Sequence, residues 1–299
     1  MMGRTHALSG AALFTAGAIP LNLPPDQIVL GAVACAGAAV LPDIDHHGSH
    51  IARTFGPITR GFAWTIGKVA GGHRNGTHSA LGIGLVAALV FFASAIYTQD
   101  EETLYTGLAI TGAMLVFGLF FGLLPSKGKG RAAYRKPWHG FLAIMACALA
   151  AAGIGTAAYR YGQEAGVVLV GAVLILVLAA AIRPLNIKGI WDDLSPIPIT
   201  IALLWFEVDL TVLPYAIVVG VVIHILGDMV TRGGCPLGWP WSQTMFGPKW
   251  FKTGDKTETR LVFPALVLIL AVSTGVHVGP YVIDHADQVR QTVDDGSGT

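Results

Sequence analysis

Long uninterrupted apolar runs constrain this chain more than any other feature. They cover 79–98, 104–124, 138–158, 165–183, 212–230 and 261–278. About twenty apolar residues, rising about 1.5 Å each as a helix, match the roughly 30 Å hydrocarbon layer of a bilayer. The runs are continuous rather than alternating, which favours α-helices over the strands of a barrel. The whole chain is 53% hydrophobic and 12% charged. A soluble domain carries about 25% charged residues, so this one has too little charge to cover a surface facing water. A shorter apolar run covers 196–207, and two more, 7–20 and 27–41, flank the turn Pro20–Pro25. Each of these two is short for a full crossing and suggests a re-entrant hairpin or two short helices packed inside the bundle. The expected fold class is all-α: a polytopic transmembrane helix bundle of about 7–9 membrane helices. It forms one membrane-embedded domain over 1–279, followed by a short tail, 280–299, expected to be disordered. No internal repeat or coiled coil is seen. Met1–Pro20 does not read as a cleavable signal peptide, because His6 interrupts its apolar run.

Charge then predicts orientation. Basic residues crowd into every second loop: 42–78, 125–137, 183–195 and 231–260. With Arg4 counted on the same side, 17 of the 19 Lys and Arg fall there. The loop Gln99-Asp100-Glu101-Glu102 is acidic. By the positive-inside rule the basic loops face the cytoplasm of a bacterial or archaeal plasma membrane. The net charge of +1 gives no reason to expect a nucleic-acid partner. Cys35, Cys147 and Cys235 have neither zinc-site nor disulfide-framework spacing.

Against this apolar background four short segments carry polar groups: Thr5-His6, Leu41–His47, His73–Ser79 and His224–Asp228. His224 and Asp228, four residues apart, share one face of a helix and can bind one divalent cation; alternatively they form an interhelical hydrogen bond or ion pair. Asp43 and Asp45 follow Pro42, where a turn can aim both carboxylates at one centre. Such a pair repels unless a cation lies between, though Asp43 also suits a helix cap. His78 opens the 79–98 span, where Thr77 or Ser79 can cap the helix. Arg74 can hold an anionic group by its planar fork or serve as a plain interfacial anchor. His46, His47 and His50 add a looser cluster without an assigned role. The predicted topology puts His6, Asp43, Asp45, His78, His224 and Asp228 on one membrane face, where unrelated polar residues would scatter over both. That convergence points to a divalent metal site, with zinc the expected ion.

With its Thr5-His6, Leu41-Pro42-Asp43-Ile44-Asp45-His46, His73-Arg74…Thr77-His78-Ser79 and His224…Asp228 boxes, the chain resembles the YdjM family of membrane-bound metal-dependent hydrolases. Pro236-Leu237-Gly238-Trp239-Pro240 also resembles that family's Trp-Pro segment, and the likeness runs from residue 5 to about 241. It implies hydrolysis, and phosphoester chemistry in particular. The expected activity is hydrolysis of an amphiphilic or lipid-linked substrate at the cytoplasmic interface, with membrane lipid as the surrounding partner. Asp45, His73 and Arg74 are the expected catalytic groups, Asp45 doubling as ligand and base. A metal carrier or sensor without hydrolysis is the alternative.

Overall fold

The computed structural model describes residues 1–46, 48, 49, 51–124, 160–185 and 194–296, the last of these by backbone alone after residue 280. The expected span 138–158, the basic loop 125–137, Lys188, His47 and His50 lie outside the described residues.

The apolar runs form helices as their composition requires. Nine α-helices appear among the described residues: α1 (Gly3–Ala18), α2 (Pro25–Ala38), α3 (Pro57–Val69), α4 (Ala80–Thr98), α5 (Glu101–Leu123), α6 (Gln163–Ile182), α7 (Pro196–Trp205), α8 (Leu213–Val230) and α9 (Phe263–Gly296). Six segments are long and apolar enough to cross a membrane: Pro25–Asp45, Ala80–Thr98, Glu101–Leu123, Gln163–Ile182, Leu213–Val230 and Glu258–Pro280. α7 is a shorter apolar helix. No named strand occurs among the described residues, so the chain is an all-α, multi-pass membrane bundle. The residues 280–296, expected as a tail, carry the helical backbone of α9.

The second apolar run forms one of two short helices packed inside the bundle, as expected, and is prolonged beyond its α-helix. The 3-10 segment Leu41–Asp45 extends α2, giving a 21-residue stretch Pro25–Asp45. Fourteen α-helical residues and one 3-10 segment reach about 30 Å, enough for a crossing. α1 is the shorter arm of the hairpin, joined to α2 through a turn in which Asn22 takes the left-handed conformation (φ 50°).

α2 is the central helix, with α1, α6 and α8 packed around it. In lipid, helices associate by close van der Waals approach between small residues rather than by a hydrophobic force. Gly220 of α8 and Gly10 of α1 both face the carbonyl of Cys35. A Cβ at either position would lie 2.5 Å from that oxygen. These contacts fix where the end of α2 emerges beside α1 and α8. Beyond α8, the irregular segment 231–257 folds under the same end of the bundle: the Leu237 carbonyl accepts the Ala80 N–H at 3.2 Å, and Trp239 packs against Gly76.

Candidate metal centre

The four polar segments meet at that end of the bundle. α1 brings His6, the 3-10 end of α2 brings Asp43 and Asp45, the turn before α4 brings His73–His78, and α8 brings His224 and Asp228. Two groups have ligand atoms all within 4.8 Å of one another: His6, His224 and Asp228, and Asp43, His73 and His78. They adjoin each other. His78 Nε2 is 3.1 Å from His224 Nε2, 3.7 Å from an Asp43 oxygen and 3.7 Å from an Asp228 oxygen. His224 Nε2 is 3.8 Å and 4.0 Å from those same two carboxylates. The His6 ring stacks on that of His224, centroids 3.9 Å apart.

Each histidine's other nitrogen decides what its Nε2 can do. His224 Nδ1 lies 2.8 Å from the Ala39 carbonyl, which can only accept, so Nδ1 carries the hydrogen. Thr77 Oγ1 lies 2.5 Å from an Asp45 oxygen and 2.9 Å from His78 Nδ1. The carboxylate accepts, so Thr77 donates to Asp45 and receives from His78 Nδ1. Both imidazoles therefore carry hydrogen on Nδ1, an assignment made from the hydrogen-bond network. Neutral, they aim two Nε2 lone pairs at each other across 3.1 Å, flanked by two carboxylates. Only a positive charge between them relieves that arrangement. Either His78 holds a second proton or a cation sits there. Burial pushes the His78 imidazole down, but the Asp43 and Asp45 carboxylates outweigh it and raise it to about 9.

The donor set also fits a divalent ion. Ligands at about 2.0–2.1 Å in tetrahedral geometry stand about 3.3 Å apart, close to the 3.1 Å approach of the two nitrogens. Two imidazoles and two carboxylates are donors that a divalent ion accepts, with Asp228 also paired to the Arg74 guanidinium at 3.0 Å and to the Met1 amino group. His6 contributes a further sign: its Nε2 lies 3.2 Å from Asp228, while its Nδ1 is fully buried with no hydrogen-bond partner. A buried nitrogen left so calls for an explanation.

The remaining expected residues take different places. Asp45 is in neither ligand group. Its oxygens accept from His73 Nδ1 at 2.8 Å, the Arg74 N–H at 3.1 Å and Thr77, three bonds that hold the turn. His73, with Nδ1–H given to Asp45, has Nε2 free and its side chain 38% exposed. Arg74 adopts a left-handed backbone (φ 60°) and pairs with Asp228 at 3.0 Å. The guanidinium crosses Gly233, where a Cβ would lie 1.6 Å from Nη1. The Met1 amino group also contacts Asp228. His46 accepts the Gly48 N–H and lies edge-on to His73 at 4.9 Å.

Sequence reasoning missed Thr77, the Ala39 carbonyl and Gly233. Thr77 reads as a possible cap, but Ser79 caps α4, accepting the Gly82 N–H at 3.1 Å. Nothing in the sequence singles out one backbone carbonyl. Gly233 carries a faint signal, as one of a glycine pair directly after a polar helix end.

Comparison with known proteins adds one result. The model of the YdjM inner membrane protein family matches residues 1–126 and 124–283. Neither the curated proteins nor the solved structures give a match. The match covers most of the chain, which therefore belongs to the YdjM inner membrane protein family.

Proposed function

We propose that this family member is a membrane-bound metal-dependent hydrolase. His78, His224, Asp43 and Asp228, with His6 as an additional donor, would hold its divalent ion, and zinc suits these mixed nitrogen and oxygen donors. The observation that carries the reading is the opposed pair of Nε2 atoms, 3.1 Å apart between two carboxylates. Bound there, a divalent ion would supply a water of lowered pKa and Lewis acidity toward a phosphoryl or acyl oxygen.

The chain's own residues supply the rest. His73 is next to the ligands, partly exposed and oriented by Asp45, so its Nε2 can take a proton from the attacking water and return it to the leaving group. Asp45 is a positioning residue, because its oxygens are already engaged. Arg74 pairs with Asp228 through Nη2 with its side chain 21% exposed, and its role is to hold a substrate oxyanion with the planar fork that lysine lacks. The substrate is amphiphilic or lipid-linked, since the site lies where the spans Pro25–Asp45 and Leu213–Val230 end, and the alternating basic loops support a cytoplasmic location.

One observation favours the alternative of a carrier or sensor: His6, His224 and Asp228 are essentially without exposed surface. The two readings separate in one experiment. Purified protein in detergent is analysed for bound metal and assayed on a chromogenic phosphodiester. Stoichiometric zinc with turnover that chelator abolishes supports the hydrolase. Stoichiometric zinc with no turnover on lipid or chromogenic phosphoesters leaves the carrier. Absence of tightly bound metal at pH 8 defeats both.

A further inference from the structure

Between the spans that end at Asp45 and begin at Ala80 lies a helix that the metal centre does not use. α3 has no acidic residue, and neither has any position between Asp45 and Asp100. Its sequence sorts onto three faces by helical spacing. Thr59 and Ala63 are buried against the 3-10 turns of the same end. Ile58, Phe62 and Val69 lie on one flank and Arg60, Trp64 and Lys68 on the other. Both flanks are open: Ile58, Phe62 and Trp64 are each more than 60% exposed. Lys68 Nζ sits 3.7 Å over the Trp64 ring.

Such a helix suits neither medium alone. Water disfavours three large bare apolar side chains on 13 residues, and hydrocarbon disfavours Arg60 and Lys68. The boundary between them suits both flanks, with Trp and Lys at the level where amphipathic side chains settle. The height is fixed by the fold. A Cβ on Gly67 would lie 2.8 Å from the Asp45 carbonyl, and the Ala70 carbonyl accepts the Gly76 N–H at 2.9 Å. The C-terminal end of α3 is thus tied to Asp45, where the stretch Pro25–Asp45 ends, and to the turn that carries His78.

We propose that α3 is an interfacial anchor that lies flat in the leaflet at the end of the bundle bearing the polar centre, with Ile58, Phe62 and Val69 in the acyl boundary and Arg60, Trp64 and Lys68 gripping anionic phospholipid headgroups. The occupant is the bilayer itself. Arg60 and Lys68, on an exposed flank in a stretch with no acidic residue between Asp45 and Asp100, carry positive charge that matches a negatively charged leaflet. This assignment rests on α3 alone and holds whether or not the centre hydrolyses anything.

The test uses the full chain in nanodiscs of phosphatidylcholine with or without phosphatidylglycerol. A cysteine-free background carrying Phe62→Cys is labelled with an environment-sensitive fluorophore. Quenching by a lipid bearing a shallow spin label, at least threefold stronger than quenching by aqueous iodide, is expected. Phosphatidylglycerol shifts the emission to the blue, and Arg60→Gln with Lys68→Gln removes that shift. The unmodified chain provides a second reading: amide exchange over 57–69 slows severalfold when phosphatidylglycerol is present. Free access of iodide to position 62 together with unchanged exchange overturns the proposal. So does cross-linking at position 62 between two copies, which would make a second chain the occupant.

Discussion

The two halves of the polar centre touch, yet they occupy different surroundings. His6 and His224 are fully buried and Asp228 is 1% exposed. Their side chains stand on α1 and α8, where small residues lock the helices around α2. Asp43 and His73 have 21% and 38% of their side chains exposed and stand on 3-10 turns and a loop. His78 joins the halves, buried like the first group and loop-borne like the second. In the proposed site the ligands come from both halves, His224 and Asp228 from the helices and Asp43 and His78 from the turns, and His73 at the rim is left to act. Helix-borne groups in a water-free setting keep fixed positions, and charges there need a counter-charge because none comes from solvent. Loop-borne groups at the rim can meet substrate and exchange protons.

The strongest challenge to that division is Asp228→Asn. It should leave less than a tenth of the bound zinc and no activity, read by metal analysis and assay together. It also leaves Arg74 without its carboxylate, at a cost of order 3 kcal/mol for breaking a buried pair. Thermal unfolding therefore needs to be measured alongside. Zinc retained at full stoichiometry would show that the closed half is structural only.

His73→Ala should do the opposite. Zinc stays, while turnover falls about 10²- to 10⁴-fold, the usual contribution of a general acid–base group. Loss of metal and turnover together would erase the distinction between the halves.

A smaller effect follows from His78. Its pKa is raised to about 9 by Asp43 and Asp45, above the ordinary value near 6.5. Zinc must displace its second proton, so apparent affinity should rise about tenfold per pH unit and level off near pH 9. In chelator the sign reverses. The stabilisation due to this raised pKa is complete below about pH 6.5 and is lost as pH climbs through about 9. Chelated protein should therefore unfold at lower temperature at pH 9 than at pH 6.5, with the gap between zinc-loaded and chelated protein widening. A gap independent of pH would remove His78 from the seam.

The mildest change is Thr77→Val. It deletes the hydroxyl between His78 and Asp45 while touching no ligand atom. Zinc affinity should drop about tenfold, the lower end for a group that orients a ligand. Titration against a competing chelator measures it, and an unchanged affinity would mean that Asp45 holds the turn without help from Thr77.

How much of this was readable beforehand differs by residue. α4 and α8 were legible to within a few residues, because twenty apolar residues leave a chain in lipid few conformations other than a helix. The full length of Pro25–Asp45 was not, since Leu41–Asp45 carries two carboxylates and reads as loop, whereas it winds as a 3-10 segment with Pro42 buried. His6 and His224 could be placed on one face by counting spans. That their rings stack at 3.9 Å could not, since it depends on how closely α1 and α8 approach α2. The amphipathic pattern of α3 lies in the sequence, but 13 residues are too few to register as a span.

The sequence by itself determined the medium, the helices and the residue types gathered at one end of the bundle. Composition and spacing are local properties, and the bilayer acts on them locally. The tertiary structure alone decided which atom of each residue faces inward. Asp45, read as ligand and base, became the support of a turn through His73, Arg74 and Thr77. Arg74 became the partner of Asp228. His224 was fixed with its lone pair on Nε2 by the carbonyl of Ala39, 185 residues away in the chain. A side chain's protonated nitrogen is set by whichever donor or acceptor lies beside it, and in this bundle those neighbours come from distant helices brought together only by packing.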